Sequence, residues 1–360
     1  MIKFFDLNRH DRPIQEKIIQ RIKKIVRQKN FINGKEVYEF EKKFSTFING
    51  KFSIACSNGT DALTIALKSL NLKKNSEVII PAMTYVSTAF AVINANLKPV
   101  LVDIDLKTGL MSIEKLKEKI SKQTKVIMPV HLYGNVFDVN KLNLSKKIFI
   151  IDDASQAHGA KYLNGKYVGT STHASCFSLY PGKNLGAYGD AGIITTQRKK
   201  YKNLIIKYSN LGSDRKNKYN HDVVGNNNRL DTIQASILIE KIAFLKKNNV
   251  LRNKIAKLYL RLIKNKKIKL LHYSKYSVFH QFIILTKNRN EFMDYMFKNK
   301  IQTGIHYPKA IHQHLSIKKL FSKKKFPNAT KFAKECVSIP IDPYLNKNEI
   351  DYIINKINSY

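Results

Sequence analysis

Cysteine is scarce in this 360-residue chain: Cys56, Cys176 and Cys336 are far apart and odd in number. No Cys-x-x-Cys pair or Cys/His ligand spacing joins them, so neither a disulfide framework nor a metal site is expected. They read as small buried hydrophobes in a reducing cytoplasm. Long apolar runs are missing as well, and none approaches the length of a bilayer span. The first dozen residues, MIKFFDLNRHDR, carry charge and no apolar stretch, so no signal peptide is expected. A soluble cytoplasmic protein is anticipated. There is no internal repeat or low-complexity tract beyond lysine-rich patches such as Lys323–Lys325.

Acidic residues are also few. The 26 Asp and Glu face 64 Lys and Arg, for a formal charge of +38. Such an excess raises the question of nucleic acid. The lysines are scattered through nearly every segment, however, and no RNA-binding, zinc-finger or helix-turn-helix signature accompanies them. The excess is read as compositional bias whose positive field draws anionic substrates and cofactors inward. Hydrophobic residues make up 43% of the chain, enough for a large α/β domain and a smaller one.

Periodicity orders the elements. Ile14, Ile18, Ile22 and Ile25 share one face of a helix expected over Pro13–Asn30, and a second amphipathic helix follows at Glu36–Phe47. A strand at Phe52–Cys56 and a helix at Asp61–Leu70 open an alternation. Short apolar runs continue it at Glu77–Pro81, Pro99–Asp103, Lys125–Val130 and Lys147–Ile151. This rhythm predicts βαβ units and a mostly parallel sheet covered on both faces. Strands at Ala174–Leu179 and Ala191–Thr196 follow, then helices at Leu230–Asn248 and Asn253–Ile263. A mixed piece closes the chain, with a strand at Val278–Leu285, a helix at Arg289–Asn299 and a last helix after Asn346. The domain boundary is placed near residue 240, giving domains 1–240 and 241–360, with the N-terminal helix able to pack on the second.

Four features fall just past strands, where open α/β sheets bind ligands. Ser57-Asn58-Gly59-Thr60 lies between a strand and a helix; it can cradle a phosphate on free N–H groups or simply cap the helix. Asp152 and Asp153 end an apolar strand, and one must point inward where the other points out. An inward carboxylate there can keep a cofactor's ring nitrogen protonated; helix capping, or metal binding with His131 and His158, is the rival reading. Lys183 sits in a Pro/Gly turn after an apolar strand, where a low-dielectric setting eases deprotonation to a nucleophilic amine. The bland alternative is a surface lysine. Tyr85, past another strand, can stack on a flat ring or pack in the core.

SNGTDAL, PAMTYVSTA, PVHLYGN, DDASQAHGA, FSLYPGKNLGAYGDAG, the His221-x-x-x-Gly225-x-Asn227-x-Arg229 segment and His306-Tyr-Pro occur in this order. Along essentially its whole length the chain resembles the DegT/DnrJ/EryC1/StrS family of sugar aminotransferases, within the fold-type I pyridoxal-phosphate enzymes. The resemblance implies an α/β fold with a mostly parallel seven-stranded sheet in a large domain and a smaller α+β C-terminal domain. It implies pyridoxal 5'-phosphate as cofactor. Lys183 matches the lysine that carries it and moves protons, Asp153 the partner of its ring nitrogen, and Gln156 the neighbour of its phenolic oxygen. Tyr85 matches the stacked aromatic, and Gly59, Thr60, Asp61 (through its backbone) and Ser178 match the phosphate cradle. Asn227 matches a phosphate contact from a neighbouring subunit, which makes a homodimer the minimal active unit. Asp152 stands where most relatives have glutamate, and the Asp61 carboxylate must turn away from a phosphate. Lys183 disfavours the dehydratase branch, which carries histidine there.

The implied reaction transfers an amino group, usually from glutamate, to a nucleotide-linked keto sugar, with an O-antigen or other surface glycan as destination. The Tyr180-Pro-Gly-Lys183 to Gly192 run resembles the branch acting on dTDP-3-keto-6-deoxyhexoses. A 4-keto UDP-, dTDP- or GDP-sugar is the alternative, and His-Pro-x-Lys variants mark that branch. Tyr180, His306, Tyr307 and His312 are candidate sugar-side residues. Two readings from other classes are a basic nucleic-acid-binding protein and a catalytically inactive regulatory relative.

Overall fold

The computed structural model describes residues 1–360 except Pro13, Asn143, Lys146, Lys216, Lys218 and Lys323, with backbone alone at His10 and Asp11. The proline expected to open the first long helix, and the first lysine of the Lys323–Lys325 patch, therefore lie outside the described residues. The chain begins with α1 (Leu7–Asp11), α2 (Gln15–Gln28) and α3 (Lys35–Ile48). Then β1 (Phe52–Cys56), α4 (Gly59–Lys68), β2 (Glu77–Pro81), α5 (Ser87–Asn94) and β3 (Lys98–Val102) alternate. After them come α6 (Ile113–Lys119), β4 (Thr124–Ile127), β5 (Phe149–Asp153), β6 (Ala174–Ser178), β7 (Gly192–Thr196) and α7 (Lys199–Ser209). The long helix α8 (Thr232–Leu262) leads to β8 (Lys269–Leu270), β9 (Phe282–Leu285) and α9 (Arg289–Lys298). The chain closes with α10 (Pro327–Glu335), β10 (Cys336–Ile339) and α11 (Lys347–Asn358).

The large sheet has seven strands in the order β1-β7-β6-β5-β4-β2-β3. Only β7 runs against its neighbours; the other pairings are parallel. The expected mostly parallel sheet is therefore present. Its inner strands are apolar without alternation because helices cover both faces: every residue of β2, EVIIP, is buried. Parallel strands aim their carboxyl ends at one edge. The loops after β1, β2, β5 and β6 thus collect on one side of the sheet, and they carry Gly59, Tyr85, Asp153 and Lys183. A second, three-stranded antiparallel sheet, β10-β9-β8, has its own apolar cluster with Phe282, Phe292, Ile339 and Ile353.

Three local expectations are revised. The two helices expected at Leu230–Asn248 and Asn253–Ile263 form one continuous α8, so no linker marks residue 240. Ala235, Leu238 and Leu245 join the large core, whereas Ile255, Ala256 and Tyr259 join the second cluster. The polar residues that interrupt the apolar pattern are buried between the two cores and bonded there. Asn249 Nδ2 donates to the His158 carbonyl at 2.8 Å, and Arg252 Nη1 to that of Ile341 at 2.9 Å. The strand expected at Val278–Leu285 shortens to Phe282–Leu285, because the preceding residues turn back to the large domain. Val278 N–H bonds the Gly134 carbonyl and Gln281 N–H that of Tyr133. Finally, α2 packs through Ile14 and Ile18 on Ile237 in the first half of α8, and Arg21 pairs with Glu240. The segment ahead of it docks on the second domain instead, with Ile2 bridging to Ile301. Among the described residues no helix is long and apolar enough to cross a membrane.

Gly192, at the start of β7, lets that strand pass against the loop after β1. A Cβ there would lie 2.3 Å from the Asn58 carbonyl oxygen and 2.5 Å from its carbon. Neither backbone can yield easily. Gly192→Ala is expected to lower stability by about 1–3 kcal/mol, read as a fall in thermal midpoint. An unchanged midpoint would show that β7 moves aside freely.

Candidate active site

The loop after β1 ends in a well-formed cap. Asn58 Oδ1 accepts the Asp61 N–H at 2.9 Å, which starts α4. Asp61 Oδ2 is held by Ser57 Oγ at 2.6 Å and Asn58 Nδ2 at 2.7 Å, so its carboxylate is occupied within its own loop. The Asp61 N–H, expected to serve a phosphate, is already used by this cap. The N–H groups of Gly59 and Thr60 have no partner among the described residues and offer an anion site at the helix start. Gly59 is required by close approach, since a Cβ would meet Ser178 Cβ at 2.6 Å. The Thr60 hydroxyl donates to Ser87 Oγ at 2.8 Å.

The two aspartates ending β5 separate as pleating demands. Asp152 is fully buried, and its Oδ2 accepts from Tyr162, Thr172 and Ser175 at 2.6, 2.8 and 2.6 Å. Burial pushes this carboxyl up, but the adjacent His131, with hydrogen bonds from Ser175 and Tyr162, outweighs it and holds the carboxyl below its ordinary range. His131 Nε2 lies 3.4 Å from Asp152 Oδ1, near enough for attraction but not aligned as a hydrogen bond. Asp153 faces the other way, into a cavity. Its Oδ2 accepts the Thr88 hydroxyl at 2.7 Å and its Oδ1 the Ser155 N–H at 3.2 Å.

Lys183 lies in the turn closed by its own N–H on the Tyr180 carbonyl at 2.9 Å. Its side chain keeps some exposed surface because the cavity is open, yet protein atoms crowd the amine. This desolvation lowers its pKa to about 8 even though the Asp153 charge pulls upward. The amine has no hydrogen-bond partner among the described residues. The next residue fixes the turn: Asn184 Nδ2 donates to Asn249 Oδ1 at 2.9 Å and the Val278 carbonyl at 3.1 Å.

One cavity of about 810 Å³ joins these groups, within the range of small-molecule sites. Gly59, Thr60, Asp61, Tyr85, Asp153, Gln156, Ser178, Tyr180, Lys183, His306 and Tyr307 all line it. The Tyr85 and Tyr180 side chains stand 55% and 58% exposed, available to a ligand rather than packed in the core. Gln156 Nε2 donates to the Tyr307 hydroxyl at 3.0 Å, and its Oε1 accepts the Tyr133 N–H. Burial and the Lys183 charge lower His306 to about 4. Two expected residues do not join the cavity. His312 packs its ring on Phe326 and lies 3.2 Å from Thr330 Oγ1, because the short helix carrying it turns toward α10. Asn227 is exposed and does not line the cavity of its own chain.

The match to known proteins covers the same ground. The model of the DegT/DnrJ/EryC1/StrS aminotransferase family matches residues 12–358. The chain belongs to this family. It is 38% identical to the dTDP-3-amino-3,6-dideoxy-alpha-D-galactopyranose transaminase of Aneurinibacillus thermoaerophilus, over 100% of this chain and 99% of that one. It is 36% identical to the UDP-2-acetamido-2-deoxy-3-oxo-D-glucuronate aminotransferase of Pseudomonas aeruginosa, over 98% of each. The crystal structure of S. venezuelae DesV in complex with ketimine intermediate superposes with a TM-score of 0.94 at 29% identity, over 99% of this chain and 98% of that one.

A DegT/DnrJ/EryC1/StrS aminotransferase is a transaminase that works with pyridoxal phosphate, and the cavity suits that group. It offers unpartnered N–H donors for a phosphate, an unpartnered amine for an aldehyde, a buried carboxylate for a ring N–H and an open tyrosine face. Sequence reasoning missed Thr88, Arg252, His280, Gln281, Phe4 and Phe5, which also line the cavity. Thr88 lay in plain sight, three residues after Tyr85 in a quoted motif. The others come from distant segments, and no local pattern marks them.

A desolvated amine changes reactivity in a defined direction. In cofactor-free protein, acylation of Lys183, followed by peptide mass spectrometry, is expected to rise with a midpoint near pH 8. Asp153 favours the charged amine, so Asp153→Asn is expected to move that midpoint lower. A midpoint at the ordinary lysine value would contradict this account.

Proposed function

We propose that this transaminase carries an amino group from glutamate to a dTDP-3-keto-6-deoxyhexose, giving a dTDP-3-amino-3,6-dideoxyhexose. The observation that carries the reading is Lys183 and Asp153 lining one cavity with a helix-start anion site. The 3-position is supported by the Tyr180-Pro-Gly-Lys183 motif and by the two relatives above, whose names both specify chemistry at C3. The 6-deoxy sugar and dTDP follow the relative at 38% identity.

Bound pyridoxal phosphate supplies an aldehyde and a cationic ring able to take up an electron pair. In this reading the Lys183 Nζ would hold it through its aldehyde. The same Nζ, which burial lowers to about 8 in the protein alone, would move the proton at the donor's α-carbon, a value suited to an acid–base group near neutrality. Asp153, aligned by Thr88 and Ser155, keeps the ring nitrogen protonated. Gly59, Thr60 and Ser178 hold the phosphate, with Asp61 contributing to the loop's shape through its cap. Tyr85 covers one ring face, and Gln156 donates toward the phenolic oxygen. Tyr180, His306 and Tyr307 face the sugar, with neutral His306 able to bond its hydroxyls.

Asn227 serves the phosphate of a neighbouring subunit, so the working unit is a homodimer. Its exposure and its distance from its own cavity suit that role. Three buried, unpaired cysteines suit the cytoplasm.

A panel of 3-keto and 4-keto sugars on dTDP, UDP and GDP, each with glutamate, tests the substrate. The dTDP-3-keto-6-deoxyhexose is expected to give the highest kcat/KM, and Lys183→Ala to lose at least about 10³-fold. Preference for a 4-keto sugar or another nucleotide would overturn the substrate; turnover of none of them would leave a regulatory relative. Shared sites make a second prediction. Lys183→Ala and Asn227→Asp chains, each impaired alone, are expected to recover about a quarter or more of wild-type activity when refolded together, since the hybrid dimer holds one intact site. No recovery would place Asn227 outside the partner's site.

A further inference from the structure

Residues 2–9 lie along the second domain as a strap tied at both ends. At one end the Ile2 N–H donates to the Lys300 carbonyl at 2.8 Å, and the Gln302 N–H donates to that of Ile2 at 2.9 Å. At the other, Arg9 grips α11: Nη1 and Nη2 donate to Glu349 Oε2 and Oε1 at 2.9 and 2.7 Å. A bidentate guanidinium–carboxylate pair fixes direction as well as distance. Between the two ties, Phe4 and Phe5 line the cavity that holds Lys183. The Phe4 N–H is held by Gln302 Oε1 at 3.2 Å, and its ring stacks on His306 with centroids 5.6 Å apart and planes 21° apart. The His306 Nδ1 lies 2.8 Å from Ser338 Oγ. One face and one nitrogen of the imidazole are thereby fixed, and Nε2 has no bond to any described residue.

We propose that this strap is the sugar-facing wall of the cavity, with Phe4 a positioning residue that holds His306 against the bound sugar. The inference rests on the cavity being the site of a keto sugar nucleotide. Aromatic faces pack well on the C–H groups of a deoxyhexose and on its methyl group. An oriented neutral imidazole adds a bond to a hydroxyl. The aromatic face offers nothing to the carboxylates of glutamate, which shares the cavity in the other half of the reaction. Arg252, in α8 and outside the strap, also lines the cavity and can meet a carboxylate. Loss of the strap should therefore harm the sugar half-reaction and spare the amino-donor half.

Stopped-flow absorbance separates the two halves. With Phe4→Ala, KM for the keto sugar nucleotide is expected to rise about tenfold or more, while that for glutamate changes less than about threefold. Phe4→Tyr, which keeps the ring, should stay within about twofold of wild type, and Arg9→Ala, which frees the strap from α11, should repeat the Phe4→Ala pattern. Calorimetry on the full chain without cofactor gives an independent reading: Phe4→Ala should weaken dTDP-glucose several-fold and leave dTDP alone unchanged. Equal loss in both half-reactions, loss in neither, or unaltered dTDP-glucose affinity overturns the strap's role. A wild-type protein that converts no keto sugar nucleotide overturns the proposed substrate itself and this inference with it. Normal wild-type turnover with an unaffected Phe4→Ala overturns the strap alone.

Discussion

The site depends on one arrangement: an amine stripped of water and a carboxylate facing it across a cavity. Parallel pairing of β5 with β6, Asp153 beside Cys176, brings both to the same edge of the sheet. Asp153 ends β5, and Lys183 sits in the turn five residues past the end of β6. Neither group is placed by chance. Thr88 and Ser155 aim the carboxylate, and Asn184 pins the lysine turn to α8 and to the segment before β9. Burial then sets the chemistry, lowering the amine to a value where its neutral form is accessible near neutrality.

Burial reaches the histidines around the cavity as well. His158 is held near about 3 by burial and by the Lys183 charge, with its Nε2 2.8 Å from the Ser178 carbonyl. His280, paired with Asn184 at 3.1 Å, is pushed well below its ordinary value by burial, Lys183 and Arg252. The imidazoles near Lys183 therefore stay neutral in spite of the chain's large positive charge. That charge sits mostly elsewhere, on scattered surface lysines. Arg252, which also lines the cavity, is lowered to about 10 by burial, and Asp342 pulls it back upward.

Much of this was legible in the sequence, for a physical reason. Strand, turn and helix start are local, so SNGT, FIIDD and YPGK each announce a strand end and the group it presents. Lys183, Asp153, Tyr85 and the Gly59 loop were found this way, Gln156 through the family resemblance, and they share one cavity. What escaped is non-local. Phe4 reaches the cavity only because Ile2 pairs with a chain segment about three hundred residues away, and Gln281 only because Val278 crosses to Gly134. The break expected in α8 fell between Asn248 and Asn253, where Asn249 and Arg252 form a buried polar seam between two cores. His312 had the right residue type and lay near the His306 motif, but its helix turns it onto Phe326.

The central claim is that one lysine of this lysine-rich chain carries the cofactor. Borohydride reduction of the protein loaded with pyridoxal phosphate, then digestion and mass spectrometry, tests it most directly. The account predicts a phosphopyridoxyl group on the peptide containing Lys183 and on no other lysine at stoichiometric level. A modification spread over surface lysines, or an unmodified Lys183 peptide, would contradict it.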